Sequence, residues 1–541
     1  MVVDLVCYRR NGHQESDNPS FTQPTMYAKI RAQPSTLTKY ASALLEQRVI
    51  DDAKISDMCE SVSQVLARAL AESKAPPAAE PKVGATEEPS GAARPTHVST
   101  APAERSATPV AARDDATGVD MDDLRRLGRA CVDLPEWLAP HRVVRRVYEQ
   151  RGRMIESGDG VDWAMAEALA CASLLADGVS VRISGQDSER GTFAQRHAVL
   201  HDQHVDGQTH CPLAEIGRMH GAHFEVHNSP LSEMAVLGFE VGHTLNNPQA
   251  LVMWEAQFGD FANTAQCMID QFICAGEAKW LVKSGLVLLL PHGMEGDGPE
   301  HSSARLERYL QLCDDDERTM PTTTSEWCLR RARRTAANML VVSLTTPANY
   351  FHALRRQTAH PSLRKPLIVM SPKGLLRDAR LASPLESFQP GHVFEPVLGE
   401  PEPEKLAPPE RVRKILFCSG RVYFELRDAR QERAAYDVAV VRIEQLSPFP
   451  YQEVRDAIAT WPNATVVWAQ EEAMNYGAWN YVRPRLENTA RSLGGAIGPG
   501  GLKAELVSYV GRNPSAAPAT GLLAIHERES KELLEAAFSH S

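Results

Sequence analysis

No two cysteines in this 541-residue sequence stand at the spacing of a redox or zinc motif. The ten cysteines occur singly, with neither a CxxC pair nor a Cys/His cluster. They predict reduced, mostly buried thiols in a reducing compartment and exclude a disulfide scaffold. No apolar run approaches the roughly 18 residues that a membrane helix needs, so no membrane span is expected. The longest run, Leu286 to Leu290 with its flanks, has the length of a buried strand. Basic residues are scattered through a chain of net charge −11, without the patch or stripe of a nucleic-acid surface. No signal or transit peptide is expected, since Met1 leads straight into Val2 to Cys7, which reads as a strand. A strand at the first residue predicts a chain that begins inside a domain.

What is present is apolar sequence in regular pieces. With 43% hydrophobic residues the chain can bury two or three cores. Residues 1–70 hold one short strand, a polar loop and helical stretches through Tyr40–Leu45 and Met58–Leu70, too little for a core of their own. Residues 71–118 are crowded with Ala, Pro, Glu, Ser and Thr and read as a disordered linker. From Val119 apolar runs end abruptly in polar residues: Val179 to Ile183 in Ser184-Gly185-Gln186-Asp187, Ala250 to Trp254 in Glu255-Ala256-Gln257-Phe258, Leu286 to Leu290 in Pro291-His292-Gly293, Leu367 to Met370 in Ser371-Pro372-Lys373. Helical segments such as Trp163 to Ala176 and Met234 to Leu245 fill the gaps. This alternation predicts an α/β fold with a doubly wound, mainly parallel sheet, ligands lying outside the carboxyl ends of the strands. After a proline-rich stretch, Gly399 to Pro409, the pattern recurs at Ile415–Cys418, Val438–Ile443 and Thr465–Trp468. The expected domains are therefore 119–400 and 401–541, with Asp315 to Arg334 as a charged surface insertion.

Several residues invite chemistry, each with a plain alternative. Glu233 falls in the first turn of a helix that Ser229 can cap and Pro230 can open; the helix dipole alone would favour a carboxylate there. His301 lies in a glycine-dense loop after a buried strand, where an imidazole can move protons or simply open the helix Ser302 to Leu312. His292, in the same loop, is a weaker candidate. Phe258 and Phe261 flank Gly259-Asp260, as core packing or as a platform for a ligand. Gly158-Asp159-Gly160 has the start of a magnesium motif but no Asn-Asn about thirty residues later, and reads as a loop. His13 lies in a polar loop after the first strand.

Eight stretches taken together carry a resemblance. YRRNGHQESDNPSFTQPTMY (8–27), RISGQDSERGTFAQRHAVLHDQ (182–203), NSPLSEMAVLGFE (228–240) and WEAQFGDFANTAQCMIDQF (254–272) are followed by LLLPHGMEGDGPEHSSARLERYLQLC (288–313), RKPLIVMSPKGLLR (364–377), VVRIEQLSPFP (440–450) and GRNPSAAPATG (511–521). In this order they resemble the 2-oxoglutarate dehydrogenases, the thiamine-diphosphate-dependent decarboxylating components of that complex, with a transketolase-like architecture. The resemblance implies a pyrimidine-binding domain at 119–400, a C-terminal α/β domain at 401–541, and in 1–70 a remnant of the diphosphate-binding domain. It implies that Glu233 hydrogen-bonds the aminopyrimidine ring and so helps to activate the thiazolium, that Phe258 and Phe261 with Gln257 pack on the cofactor, and that His301 acts beside the thiazolium. His13 and His292 are kept as possible site residues. The substrate implied is 2-oxoglutarate and the partner a lipoyl-bearing succinyltransferase, in a homodimer; 2-oxoadipate remains an alternative substrate. The magnesium motif of the family is not found, so no metal ligand is expected here. Mg2+ would be held by the missing domain or another chain, and the chain alone is expected not to decarboxylate. Either it is half of an active enzyme completed elsewhere, or an inactive module that dimerises or docks. The family places such a protein in the mitochondrial matrix of a eukaryote or the cytoplasm of a bacterium.

Overall fold

The structure is a computed structural model, and it describes residues 7–13, 18–73, 116–318, 320, 336–359, 364–493 and 507–539. Most of the expected first strand, the span 74–115 of the expected linker and most of the expected insertion lie outside these residues. Two units divide the chain, 1–111 and 112–541.

The first unit is helical. Pro24–Ala32, Thr36–Glu46 and Asp52–Ser73 are helices, each of the last two longer than its apolar signal because flanking polar residues continue the turn. Ser35 starts the second by accepting a hydrogen bond from the Thr38 amide. Tyr27 and Ile30 are buried, and the Tyr27 hydroxyl donates to the Arg9 carbonyl at 3.2 Å.

The second unit holds two doubly wound sheets. Its main strands are β1 (Val181–Gly185), β2 (Phe224–Asn228), β3 (Leu251–Glu255), β4 (Val287–His292), β5 (Leu340–Ser343) and β6 (Leu367–Pro372). They are followed by β7 (Val397–Leu398), β8 (Lys414–Cys418), β9 (Val438–Ile443), β10 (Gln445–Ser447), β11 (Thr465–Ala473) and β12 (Ser508–Arg512). The first sheet has the order β10-β5-β6-β4-β3-β1-β2 and the second β7-β9-β8-β11-β12. Every pairing is parallel except the edges, where β10 runs antiparallel to β5 and β7 antiparallel to β9. The short strand β10 follows β9 of the second sheet in sequence yet completes the first.

Alternate residues of the central strands feed two separate cores. Leu251, Met253, Val287 and Leu289 face one, while Val252, Trp254, Leu288 and Leu290 face the other. Both faces are covered, which is why these strands are apolar throughout. Helix Trp163–Ala176 is apolar almost all round and almost wholly buried. Asp162 caps it through the Met165 amide, and Thr346 caps Pro347–Thr358 through the Asn349 amide with proline in the first position.

Candidate active site

The first sheet grows from β1 in both directions, β2 on one side and β3 on the other. The carboxyl ends of β1 and β3 therefore open the crevice where doubly wound sheets take ligands. Gly185 closes β1 with φ +145°, and a Cβ there would stand 2.2 Å from the Glu255 carbonyl oxygen. Only glycine lets the two strand ends meet so closely. The loop after β1 is thereby set against Gln257, whose Nε2 donates to Asp187 Oδ2 at 3.4 Å.

Glu233 is the first residue of helix Glu233–Asn246, and its cap is Ser232, whose Oγ accepts from the Ala235 amide. The sequence expectation gave that role to Ser229. Instead Ser229 accepts from the Leu231 amide in a turn before the helix, and Pro230 belongs to that turn. Partly buried, the Glu233 carboxylate takes hydrogen bonds from both sides of the crevice: Gln186 Nε2 donates to Oε1 at 3.3 Å and Thr264 Oγ1 to Oε2 at 3.0 Å. Its side chain is thus oriented by the loops after β1 and β3 together.

Phe258 and Phe261 sit at the start of the turn that follows β3, their ring centroids 5.7 Å apart. His301 lies edge-on to Phe258 at 4.7 Å and 6.0 Å from Phe261. Gly259 makes this meeting feasible, since a Cβ there would lie 2.4 Å from Ala304 Cβ and 2.5 Å from the Pro291 carbonyl oxygen. Asp260 locks the turn from below through an ion pair to Arg305 at 2.9 Å; burial raises its pKa and that pairing opposes the rise. The helix expected from Ser302 begins only at Leu306. Arg305 adopts the left-handed conformation with φ +58°, which breaks the helical path, and His301 ends a separate 3-10 turn, Pro299–His301.

His292 points elsewhere. It is buried, its Nε2 lies 2.8 Å from Glu472 Oε1, and its Nδ1 accepts from the Ala304 amide at 2.9 Å. Because Nδ1 accepts a backbone N–H, Nε2 carries the proton and donates to Glu472. Beside it, Glu471 Oε2 accepts from the Met294 amide and Arg421 donates to the Met294 carbonyl. Burial pushes the Glu471 carboxyl up, against the pull of Arg421. The carboxylates at the end of β11 thus clamp the loop that carries His301.

Behind the crevice lies a buried ion triad. Arg196 binds Glu167 of helix Trp163–Ala176 at 2.6 Å and Glu255 of β3 at 2.8 Å, and donates to the Ser188 carbonyl at 3.0 Å. Tyr350 adds a hydroxyl to Glu167 at 2.7 Å. The guanidinium therefore ties the loop after β1 to the end of β3.

The structure brings Glu233, Gln257, Phe258, Phe261 and His301 to one end of one sheet, and places His292 in the adjoining buried network. His13 belongs to the first unit, exposed, with Nδ1 2.6 Å from Arg9 Nη1. Gly158 is the left-handed cap ending helix Arg142–Ser157, and Asp159 accepts from the Gly160 amide, the loop expected of that triplet. Among the described residues no group of three His, Cys, Asp or Glu could hold a metal ion. Sequence reasoning passed over Gln186, Arg196, Thr264 and Lys373. Gln186 and Lys373 had a signal, since each stands in the polar residues that directly follow a strand. Thr264 and Arg196 had none.

Three family models match: the transketolase pyrimidine-binding domain over residues 159–379, the 2-oxoglutarate dehydrogenase C-terminal model over 382–538, and the dehydrogenase E1 component over 1–82. The chain is 43% identical to the mitochondrial 2-oxoglutarate dehydrogenase of Schizosaccharomyces pombe, over 99% of its own length and 51% of that protein's. It is 41% identical to the mitochondrial 2-oxoglutarate dehydrogenase of Dictyostelium discoideum, over 100% of the chain and 51% of that relative. Identity to the 2-oxoglutarate dehydrogenase E1 component of Brucella anthropi is 41%, over 100% of the chain and 50% of the relative. The chain spans about half the length of these curated relatives.

Proposed function

We propose, since the chain belongs to the 2-oxoglutarate dehydrogenase family over the half of its relatives' length that it spans, that residues 112–541 supply the pyrimidine-binding side of a thiamine diphosphate site acting on 2-oxoglutarate. The observation that carries this reading is the Glu233 carboxylate held at the switch point beside two phenylalanines and a histidine. These residues fit the aminopyrimidine half of the cofactor: a carboxylate for a ring nitrogen, aromatic rings for the ring's faces, and the Gln257 amide beside them. When bound, thiamine diphosphate supplies the electron sink for loss of CO2 from a 2-oxo acid. Glu233 holds a proton at the pyrimidine nitrogen, oriented by Gln186 and Thr264. Phe258 and Phe261 exclude water and fix the edge-on imidazole of His301, which gives or takes a proton on the substrate side.

The four-carbon acyl unit passes, in this proposal, to a lipoyl group on a succinyltransferase partner, a step of the tricarboxylic acid cycle. The names of the relatives favour 2-oxoglutarate over 2-oxoadipate. Diphosphate and Mg2+ are assigned to a complementary segment outside residues 112–541; within the first unit, residues 1–82 match the dehydrogenase E1 component. The division of the second unit at 400/401 is retained as part of this proposal. A homodimer is supported by the apolar residues left open along the helix that Glu233 begins, namely Met234, Phe239 and Leu245, and by Phe272, Trp280 and Leu281. Eukaryotic relatives are named mitochondrial and bacterial ones are not, which supports the matrix in a eukaryote and the cytoplasm in a bacterium. Among the described residues no helix is long and apolar enough to cross a membrane.

Calorimetric titration of the chain with thiamine diphosphate and magnesium tests the reading. Saturable binding that weakens about 100-fold in Glu233→Ala supports it. Absence of binding by the wild-type chain overturns the half-site and leaves a docking or dimerising module.

A further inference from the structure

Lys373 follows β6 directly and is only 2% exposed. Its Nζ donates to the carbonyl oxygen of His301 at 2.6 Å and to Asp297 Oδ2 at 2.7 Å, and lies 3.3 Å from Glu295 Oε2. An ammonium has three N–H donors, and these acceptors all lie in one loop, 293–302. That loop contains Gly293, Gly296 and Gly298, the last two with φ +81° and +86°. Glycine backbone loses more freedom on ordering than any other, so this loop needs a cross-link to hold one shape. On its other side Nζ stands 5.8 Å from the centroid of Phe258, the ring against which the His301 imidazole packs.

We propose that Lys373 is the positioning residue for His301: its ammonium fixes the backbone from which the imidazole projects onto Phe258. Charge balance alone does not account for the arrangement. Glu295 also accepts from the Gly374 amide at 2.9 Å and faces Arg421 at 3.4 Å, and the Asp297 side chain is 51% open to water. Both carboxylates therefore keep other means of stabilisation, whereas the bond to the His301 carbonyl acts on the position of that residue itself. The role of His301 in turnover rests on the proposed function; the order of its loop does not.

Three forms of the chain test this: wild type, Lys373→Met, and the triple variant Lys373→Met/Glu295→Gln/Asp297→Asn, in which the removed charge is balanced. Amide hydrogen exchange is read in peptides covering 293–302, alongside the melting temperature. In Lys373→Met exchange in those peptides is expected to rise about 10-fold or more. In the triple variant the melting temperature returns towards wild type while the fast exchange persists. Exchange that stays at the wild-type rate in Lys373→Met, or returns to it in the triple variant, overturns the proposal. Turnover, followed as 2-oxoglutarate-dependent reduction of ferricyanide, adds an independent reading. A kcat lowered about 10-fold in both variants at a KM within about twofold is the signature of a misplaced group that acts in the transition state. A KM that rises with kcat unchanged overturns the proposal. The chain on its own is not expected to turn over, since diphosphate and Mg2+ are assigned to a complementary segment; where turnover is lacking, the exchange comparison decides on Lys373 by itself.

Discussion

At the scale of single residues, the site depends on carboxylates whose partners come from distant parts of the chain. Glu233 takes its hydrogen bonds from Gln186 and Thr264, on the loops that follow β1 and β3. Glu233→Gln keeps the shape and loses the charge, and is expected to weaken thiamine diphosphate binding about 10-fold, Glu233→Ala about 100-fold, as for one or two charge-assisted hydrogen bonds. Titration calorimetry of both variants checks the order. Arg196 is a different case, buried between Glu167 and Glu255. Arg196→Met strands two carboxylates and is expected to destabilise the fold by about 3–5 kcal/mol, read from urea unfolding. Local pattern placed Glu233 in the first turn of a helix, and only the resemblance gave it a role. Arg196 was not legible, since its partners stand 29 and 59 residues away and nothing local marks them.

At the scale of elements, apolar runs located most central strands because both faces of each are covered. Strand β11 shows how such reading falls short. Its apolar signal ends at Trp468, yet pairing continues to Ala473, because Gln470, Glu471 and Glu472 are buried by their hydrogen bonds and not by apolar contact. The helix after His301 was misplaced for a backbone reason, the left-handed Arg305, which composition does not announce. Gly185 is the element-scale weak point. Gly185→Ala drives a Cβ into the Glu255 carbonyl and is expected to destabilise the second unit by about 1–3 kcal/mol. Thiamine diphosphate affinity should fall with it, because the ends of β1 and β3 no longer meet. A variant with wild-type stability and affinity would show that this close approach is dispensable.

At the scale of the whole molecule, buried neutral histidines make stability depend on pH. Burial lowers His352 to about 4 and His197 to about 3, from an ordinary value of 6.5. In the fold His352 bonds Thr117 at 2.7 Å and the Ser387 carbonyl at 2.8 Å as an uncharged ring. The unfolded chain takes up these protons below pH 6.5 and the folded chain does not. Stability therefore falls as pH drops from 6.5 towards 4, by up to about 1.4 kcal/mol per pH unit for each ring. His352→Gln is expected to give a shallower fall in melting temperature over that window; an unchanged slope would acquit His352. The proposed association makes the second whole-molecule prediction. Phe239 and Leu281 are 57% and 86% exposed. If the proposed homodimer forms through these side chains, the double variant Phe239→Asp/Leu281→Asp is expected to sediment as a monomer at concentrations where the wild-type chain sediments as a dimer.

The order of the strands also governs how this protein is made. β10 comes after β9 in the chain but is the edge of the sheet that β1 begins. During synthesis the first sheet must wait, with the flank of β5 bare, until residue 447 has left the ribosome. The second sheet is completed later still, when β11 and β12 have been made. The nascent chain thus carries an unpaired strand edge from residue 343 to residue 447, and that interval is when it would need a chaperone.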